Sequence, residues 1–132
     1  MLFIGIGDIF WVLSVDNEGK ITMVKTYIPD AGDIVWVDFD PQAGHEQAGH
    51  RPALVLSPAI YNGRIGLMLC CPMTTKIKGY PFEVMVEGEC NSVILADQVK
   101  SFDWRKRNAA KKGKVPASVL SEVRAKAKAL IG

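Results

Sequence analysis

The hydrophobic residues of this chain fall into short runs, and this pattern limits the fold more than any other feature. The runs are rich in Val, Ile and Leu, and Gly, Pro or Asn residues bound them. Runs of this kind are typical of strands, and their regular spacing indicates a small antiparallel barrel or a strongly bent sheet. The predicted strands are Ile34–Phe39, Ala53–Ser57, Ile65–Cys71, Phe82–Val86 and Val93–Val99.

The C-terminal part of the chain changes to a helical period. Pro116 suits the first turn of a helix, and apolar residues then recur at the spacing of one helix face. Basic residues gather towards the end, where the helix dipole favours cations. We therefore predict a C-terminal amphipathic helix packed on the sheet, with an apolar face made of Val119, Leu120, Val123, Ala127, Leu130 and Ile131.

The first 22 residues form a segment of their own within a chain of 132 residues, which is the length of one domain. Leu2–Val15 is apolar but too short for a membrane span, and it lacks the basic start of a signal peptide. Residues 1–22 are either a translated segment upstream of the native start or one arm of a hairpin that turns at Asp16–Gly19. The domain proper is predicted over residues 23–132, with another hairpin turn at Tyr61–Arg64.

Charge is distributed unevenly along the chain. Residues 1–50 hold eight acidic and two basic residues, whereas residues 51–132 hold six acidic and fourteen basic residues. The net charge of +2 conceals this asymmetry. A basic half favours a polyanionic partner.

The three cysteines point away from metal or disulfide chemistry. Cys70 and Cys71 are adjacent, so a strand would direct them to opposite faces, and Cys90 stands apart. The sequence has no CxxC pair and no histidine at ligand spacing, and an odd count does not suit a disulfide framework. We predict reduced thiols in a cytoplasmic protein, with no metal and no cofactor.

Two of the predicted strands carry polar groups suited to a phosphate at their ends. Arg51 stands in Gly49-His50-Arg51-Pro52, directly before the run Ala53–Ser57, and Thr74 follows Cys71-Pro72-Met73. An arginine fork matches phosphate oxygens, and a hydroxyl adds another donor. Such a pair can stabilise extra negative charge on phosphorus.

Read together with Gly32–Phe39 and Ala96–Lys100, these motifs resemble, in order, the MazF/PemK family of toxin endoribonucleases. The resemblance runs from about Met23 to Gly132. It implies a mainly β fold with a C-terminal helix, namely the SH3-like small barrel of PemK/CcdB-type toxins. It also implies that Arg51 and Thr74 are catalytic, with an acid–base role for Arg51 and a hydrogen bond from Thr74 to the phosphate. Because arginine resists losing its proton, we predict that Arg51 stabilises charge and donates a proton to the leaving oxygen instead of acting as the base.

A supporting set is predicted around the catalytic pair, and the resemblance implies that its loop glutamate, Glu46, supports RNA binding or cleavage. Glu46 and His50, both in the long polar segment before the arginine, are alternative candidates for the base, and an imidazole titrates closest to neutral pH. Lys78 and the basic run Arg105–Lys114 are candidate phosphate contacts. The full supporting set is Glu46, His50, Thr75, Lys78 and Gln98.

Two further observations refine this picture. Kid-like toxins of the family carry an arginine two residues before the equivalent of Asp97, and Leu95 occupies that position here, so the chain sides with the MazF branch. Trp36, Phe39 and Trp104 invite a base-stacking role. Alternation along the strand predicts instead that Trp36 and Phe39 are core or interface residues.

The function implied by the resemblance is that of a type II toxin which arrests translation. It would cleave single-stranded mRNA at a preferred sequence without metal, leaving a 2′,3′-cyclic phosphate and a 5′-hydroxyl. Its partners would be RNA, a second copy of itself and a MazE-like antitoxin with an acidic, disordered C-terminal tail. No membrane association is expected. The alternatives are a CcdB-like gyrase poison, whose tail tryptophan is absent from the end Ala129-Leu130-Ile131-Gly132, and a non-catalytic SH3-like nucleic-acid-binding module.

Overall fold

Strands dominate the architecture. The computed structural model describes residues 3–6, 9–40, 44–88 and 91–132. A three-stranded sheet in the order β1-β2-β3 precedes a seven-stranded sheet, and a helix ends the chain. The elements are β1 Phe3–Ile6, β2 Ile9–Val15, β3 Ile21–Tyr27, β4 Asp33–Asp38, β5 His50–Val55, α1 Ala59–Ile65, β6 Leu67–Thr74, β7 Glu83–Val86, β8 Ser92–Leu95, β9 Lys100–Asp103, β10 Ala110–Lys114 and α2 Ala117–Ile131.

The larger sheet has the strand order β10-β4-β5-β6-β8-β7, and β9 also pairs with β6. β6 is its pivot, since Leu67–Cys70 pairs with β9 while Met73 and Thr74 pair with β8. One strand that serves two partners along one edge bends the sheet into a half-barrel. The predicted mainly β fold class with a C-terminal helix is confirmed.

The core lies on both faces of the sheet because β5 is buried on both. Ala53 and Val55 belong to one buried cluster, whereas Leu54 and Leu56 belong to a second cluster that includes Val123 of α2. The predicted amphipathic helix is confirmed at Val123 and Ala127, which are buried. Leu130 and Ile131, which were predicted for the same apolar face, are 55% and 85% exposed, so that part of the prediction is wrong. Two polar contacts also attach α2 to the sheet: an Nη of Arg124 donates to the carbonyl of Leu56 over 2.7 Å, and Nζ of Lys126 donates to the carbonyl of Glu83 over 3.1 Å.

The adjacent thiols are divided between these clusters, as predicted. Cys70 lies in the first cluster and Cys71 in the second, and both are free and buried. Burial raises the pKa of both thiols, to about 12 for Cys71. They are packing residues, not nucleophiles. Cys90 lies outside the described residues.

The predicted hairpin turn at Tyr61–Arg64 is wrong, because these residues belong to α1. Asn62 is fully buried and donates to the carbonyls of Pro29 and Ser57 over 2.7 and 2.9 Å. It also accepts from the Ser57 hydroxyl over 2.6 Å. These partners, of which Pro29 is 33 residues away, outweigh the local turn preference of Asn-Gly. The helix ends at Gly66 in the left-handed region, so β6 starts later than the predicted Ile65.

Other strand boundaries shift as well. β5 starts three residues before the predicted Ala53, and β8 ends at Leu95, four residues before the predicted Val99. The predictions missed β9 and β10 altogether, since both are polar and short. The basic run Arg105–Lys114 thus becomes a turn followed by an edge strand.

β2 and β3 form the hairpin predicted to turn at Asp16–Gly19, while a translated segment upstream of the native start stays a prediction. β2 pairs with β3, and the Asp16 carboxylate closes the turn by accepting from the amides of Glu18 and Lys20, each over 2.9 Å. The predicted boundary between residues 22 and 23 falls inside β3. Neither of the described helices is long and apolar enough to cross a membrane.

Candidate active site

A cleft of about 640 Å³ with polar and charged side chains in its lining opens where β5 begins and β6 ends. It brings together six of the seven residues predicted for the site. The cleft is lined by Glu46, Arg51, Thr74, Thr75, Lys78 and Gln98, together with Lys76, Tyr80 and Glu83. Residues far apart in the chain thus share one surface.

The β5–β6 register explains why Arg51 and Thr74 meet. The last pairs of this antiparallel ladder are Val55 with Cys70, Leu54 with Cys71 and Ala53 with Pro72. The same register, extended two residues beyond Ala53, sets Arg51 opposite Thr74. The ladder stops before that point, and the two polar ends open into the cleft.

Arg51 is held in orientation by its own loop. Its Nε donates to the carbonyl oxygen of Ala48 over 2.7 Å, and the side chain is only partly exposed. A guanidinium has five N–H donors in one plane, and this bond uses one of them. Fixing Nε therefore fixes the plane in which the remaining donors lie, as binding of a phosphate fork requires.

Thr74 is the last residue of β6, and its hydroxyl is positioned by the following turn. Its Oγ accepts a hydrogen bond from the amide of Lys76 over 3.1 Å. A hydroxyl that accepts in this way keeps its own hydrogen for donation. The side chain is half-buried, whereas Thr75 is exposed. Thr74 is thus the more restrained donor of the two.

The loop before β5 is fastened to the turn after β8. The Glu46 carboxylate pairs with Nζ of Lys100, and the amide of Gln47 donates to Oε1 of Gln98 over 3.3 Å. At its base the amide of Phe39 donates to the carbonyl of Gly49 over 2.9 Å. Gln98 therefore supports the loop from below. Lys100 was missed by the sequence predictions, because the chain separates it from Glu46 by 54 residues.

A second loop, residues 75–81, is held by Glu83. Its carboxylate accepts from the amides of Lys78 and Gly79 over 3.0 and 2.6 Å. These bonds, the Lys78 amide first, lower the pKa of Glu83. Desolvation and a 2.8 Å hydrogen bond to Asp97 raise the pKa of Tyr80 to about 12, so its hydroxyl is protonated at neutral pH. Glu83 and Tyr80 were also missed, and only the polar loop beside them signalled their place.

His50 is the one predicted residue that does not line the cleft. It precedes Arg51 on β5, so its side chain projects from the other face of the strand. Its Nδ1 lies 2.8 Å from Oδ1 of Asp38, and because a carboxylate only accepts, Nδ1 carries the hydrogen. Hydrogen bonds from Asn108 and then His50 lower the pKa of Asp38.

Comparison with known proteins gives this cleft its context. Residues 30–131 match the family model of the PemK-like, MazF-like toxin of type II toxin-antitoxin systems. The endoribonuclease toxin MazF of Escherichia coli K12 is 59% identical over 111 residues, covering 83% of this chain and all of that protein. The chain belongs to the PemK/MazF toxin family.

Solved structures agree with this membership. A crystal structure of MazF from Deinococcus radiodurans superposes with a TM-score of 0.78 at 56% identity, covering 81% of this chain and 99% of that one. A MazE–MazF crystal structure from the same organism gives a TM-score of 0.73 at 56% identity, covering 81% of this chain and 98% of that one. Neither these relatives nor the family model supports the gyrase-poison alternative.

The basic run of this PemK/MazF toxin is partly structural. Arg107 donates through one Nη to the carbonyls of Asp38 and Asp40 over 3.0 and 2.9 Å, and its guanidinium lies 4.0 Å from the Phe102 ring centre. It thus fastens the start of the loop before β5. Lys114 lies 3.8 Å from the buried Asp33 carboxylate. These two cations support the fold, and RNA contact by the run stays a prediction.

The three aromatic residues considered for base stacking differ in burial. Phe39 and Trp104 are both 3% exposed and belong to the first core cluster. Trp36 is not a core residue, since its exposed fraction is 36%. Strand alternation predicted that Phe39 and Trp36 are core or interface residues. Phe39 is a core residue, and Trp36 is not.

Proposed function

We propose that this chain is the toxin of a type II toxin-antitoxin pair and cleaves single-stranded mRNA at a preferred sequence, thereby arresting translation. The observation that carries the proposal is the shared cleft of Arg51 and Thr74 in a member of the PemK/MazF family. The E. coli relative, at 59% identity, is an endoribonuclease toxin. Because the proposed substrate is messenger RNA, the proposed location is the cytoplasm.

The proposed reaction uses the 2′-hydroxyl of RNA as nucleophile. Its oxygen forms a bond to phosphorus and loses its proton to a base, while the bond from phosphorus to the 5′-oxygen breaks and that oxygen gains a proton. The products are a 2′,3′-cyclic phosphate and a 5′-hydroxyl. Arg51 and Thr74 would stabilise the additional charge on the phosphoryl oxygens. Arg51 would also supply the proton to the leaving oxygen.

Glu46 is the better placed of the two candidate bases. It lines the cleft, whereas His50 projects from the opposite face and donates to Asp38. The carboxylate of Glu46 is already engaged by Lys100. Removal of the 2′-proton by Glu46 therefore requires that this ion pair opens or shares its carboxylate with the substrate.

Cleavage without a metal ion is part of the proposal. The described part of the chain contains no group of three or more His, Cys, Asp or Glu residues that could hold a metal ion. We expect purified protein to cleave a mixed-sequence single-stranded RNA in excess chelator, with end-group analysis finding cyclic phosphate and 5′-hydroxyl ends. Activity that vanishes in chelator and returns with a divalent cation would contradict the mechanism.

The proposed partners are an antitoxin and a second copy of the chain. In the D. radiodurans structure the MazF relative is crystallised with MazE. Residues 51–132 carry an excess of eight positive charges, which suits an acidic segment that orders on contact. We expect a MazE-like acidic tail to inhibit cleavage competitively and more weakly at high salt. Sedimentation should show a homodimer, and an active monomer would contradict that part.

A further inference from the structure

Trp36 and His50 form an exposed aromatic pair on the sheet face opposite the Arg51 side chain. Their ring centres are 5.6 Å apart and their planes differ by 11°. The side chain of His50 is 55% exposed and Trp36 is 36% exposed, although Val35 and Val37 beside Trp36 are fully buried. Trp36 belongs to neither buried core cluster, so its exposed ring is available for a role on the surface.

The pair is held in one orientation. Asp38 accepts from Nδ1 of His50 over 2.8 Å and from the side-chain amide of Asn108 over 3.0 Å. These bonds set the imidazole plane parallel to the indole plane. Flat π surfaces prepared in this way suit a planar ligand, because little rotamer freedom is lost on binding.

A cation borders the aromatic pair. Nζ of Lys112 lies 5.4 Å from the centre of the Trp36 ring. Lys112 belongs to β10, which pairs with β4 at the register Ala110 to Trp36. A positive group beside stacked aromatic rings is the combination used for single-stranded nucleic acid, in which bases stack and phosphates meet cations.

The aromatic pair is continuous with the cleft. Pro52 is the register partner of Trp36 and also lines the cleft. His50 is the chain neighbour of Arg51. Pro52 therefore connects the two faces of the strand, and an RNA strand that left the cleft over Pro52 would reach the Trp36–His50 pair.

We propose that Trp36 and His50 form a stacking platform for an unpaired RNA base next to the scissile phosphate, with Lys112 contacting the adjoining phosphate. The inference rests on the proposed endoribonuclease function and adds to it a subsite for the flanking nucleotide. An RNA nucleotide would use both features, because its base would stack on the parallel rings and its phosphate would contact Lys112. An acidic peptide would need the cation alone.

The test couples the protein side chain to the base. Cleavage kinetics are measured for the wild type and Trp36→Leu on an RNA with one preferred cut, and on a series in which each nucleotide in turn is abasic. Loss of one base–aromatic stack corresponds to about a 5- to 150-fold loss of affinity. We expect Trp36→Leu to raise KM within that range with a smaller change in kcat, and Trp36→Phe to restore most of it.

One abasic position should lower the affinity of the wild type but leave that of Trp36→Leu unchanged. Additive losses at every position would overturn the proposal. So would a Trp36→Leu variant that binds every RNA normally but loses an acidic antitoxin peptide, or that changes oligomeric state in sedimentation. In those cases the platform belongs to a protein partner or to the second copy.

Two controls separate this proposal from its foundation. If the wild type leaves RNA uncut, the proposed function is wrong. If the wild type cleaves RNA but Trp36→Leu shows no coupling to any abasic position, only the proposed stacking platform is wrong. Thermal unfolding reports whether Trp36→Leu is folded. If it is not, Asp38→Asn, which weakens the hold on the imidazole, should show the same coupling in reduced form, and its absence would equally overturn the platform.

Discussion

Strand β5 joins two surfaces that are built in different ways. The cleft takes its polar groups from segments distant in the chain, and its two loops are held by Gln98 and Glu83. The Trp36–His50 face comes from two neighbouring strands, and the side chains of Asp38 and Asn108 hold it. Adjacent residues, His50 and Arg51, thus serve different surfaces because a strand alternates its side chains.

The comparison teaches that closeness in sequence is a poor guide to a shared role here. His50 and Arg51 are neighbours in the chain, yet the 2.8 Å contact of His50 with Asp38 directs its imidazole away from the cleft. Arg51 and Thr74 are 23 residues apart, yet the β5–β6 register brings their ends together. We therefore expect substitutions at His50 and Arg51 to differ in kind.

The largest expected effect is that of Arg51→Ala. Loss of the guanidinium removes the charge stabilisation at the phosphate, and kcat should fall by about a thousandfold or more. His50→Ala should mainly raise KM. The kinetics of cleavage of one short RNA, at a series of RNA concentrations, measure kcat and KM for both variants. Arg64→Ala, an exposed arginine at the end of α1, is the matched control and should behave as wild type. Equal kcat losses for His50→Ala and Arg51→Ala would break the comparison between the two surfaces.

The next effect in size is that of Thr74→Ala. Removing one transition-state donor should lower kcat by about a hundredfold, with little change in KM. Thr74→Ser keeps the hydroxyl that accepts from the Lys76 amide, so it should recover most of the rate. Thr75→Ala tests the exposed neighbour and should cost less. If Thr75→Ala proves the more damaging, the assignment of the donor to Thr74 is wrong.

A smaller effect is expected for Lys78→Ala, which removes one phosphate contact from the cleft. RNA affinity should fall, and the slope of log affinity against log salt should decrease by about one. Fluorescence titration of a labelled RNA at several salt concentrations measures the slope. Lys128→Ala, an exposed lysine in the last turn of α2, should leave the slope unchanged. The same slope in wild type and Lys78→Ala would exclude Lys78 from the phosphate contacts.

The strands of the core and the C-terminal helix could be predicted from sequence because burial imposes a period. β9 and β10 could not, since Lys100–Asp103 and Ala110–Lys114 are too polar to show alternation. α1 could not either, because its Asn62 is specified by partners at Pro29 and Ser57, which local preference does not encode.

The site could be predicted in composition but not in arrangement. Family motifs identified the polar groups, and the structure places most of them in one cleft. The place of His50 was missed because β5 was predicted to begin at Ala53. With the strand beginning at His50, alternation separates His50 from Arg51. The ion pair between Glu46 and Lys100 forms only because the fold brings β9 beside the loop before β5. No local sequence pattern predicts that contact.

The smallest expected effect is on pH-dependent stability, and it concerns the loop that carries Lys78. The fold lowers the pKa of Glu83 from its ordinary value of 4.5, chiefly through the Lys78 amide. The ionised form is therefore the one that the folded state favours. Its stabilisation is complete above the ordinary value and is lost as pH falls through the lowered value.

Glu83→Gln should accordingly lower the free energy of unfolding slightly at neutral pH, and the difference from wild type should shrink below about pH 4.5. Urea unfolding at several pH values between neutral and acid measures it, with Glu87→Gln, an exposed neighbour, as the control. Glu83→Gln should also weaken RNA binding at neutral pH, because the amides of Lys78 and Gly79 lose their charged acceptor. Among the described residues no hydrogen bond, ion pair or ring contact that we identify joins Trp36 or His50 to this loop, so base stacking should be unaffected. A loss of stacking in Glu83→Gln would mean that the two surfaces act as one.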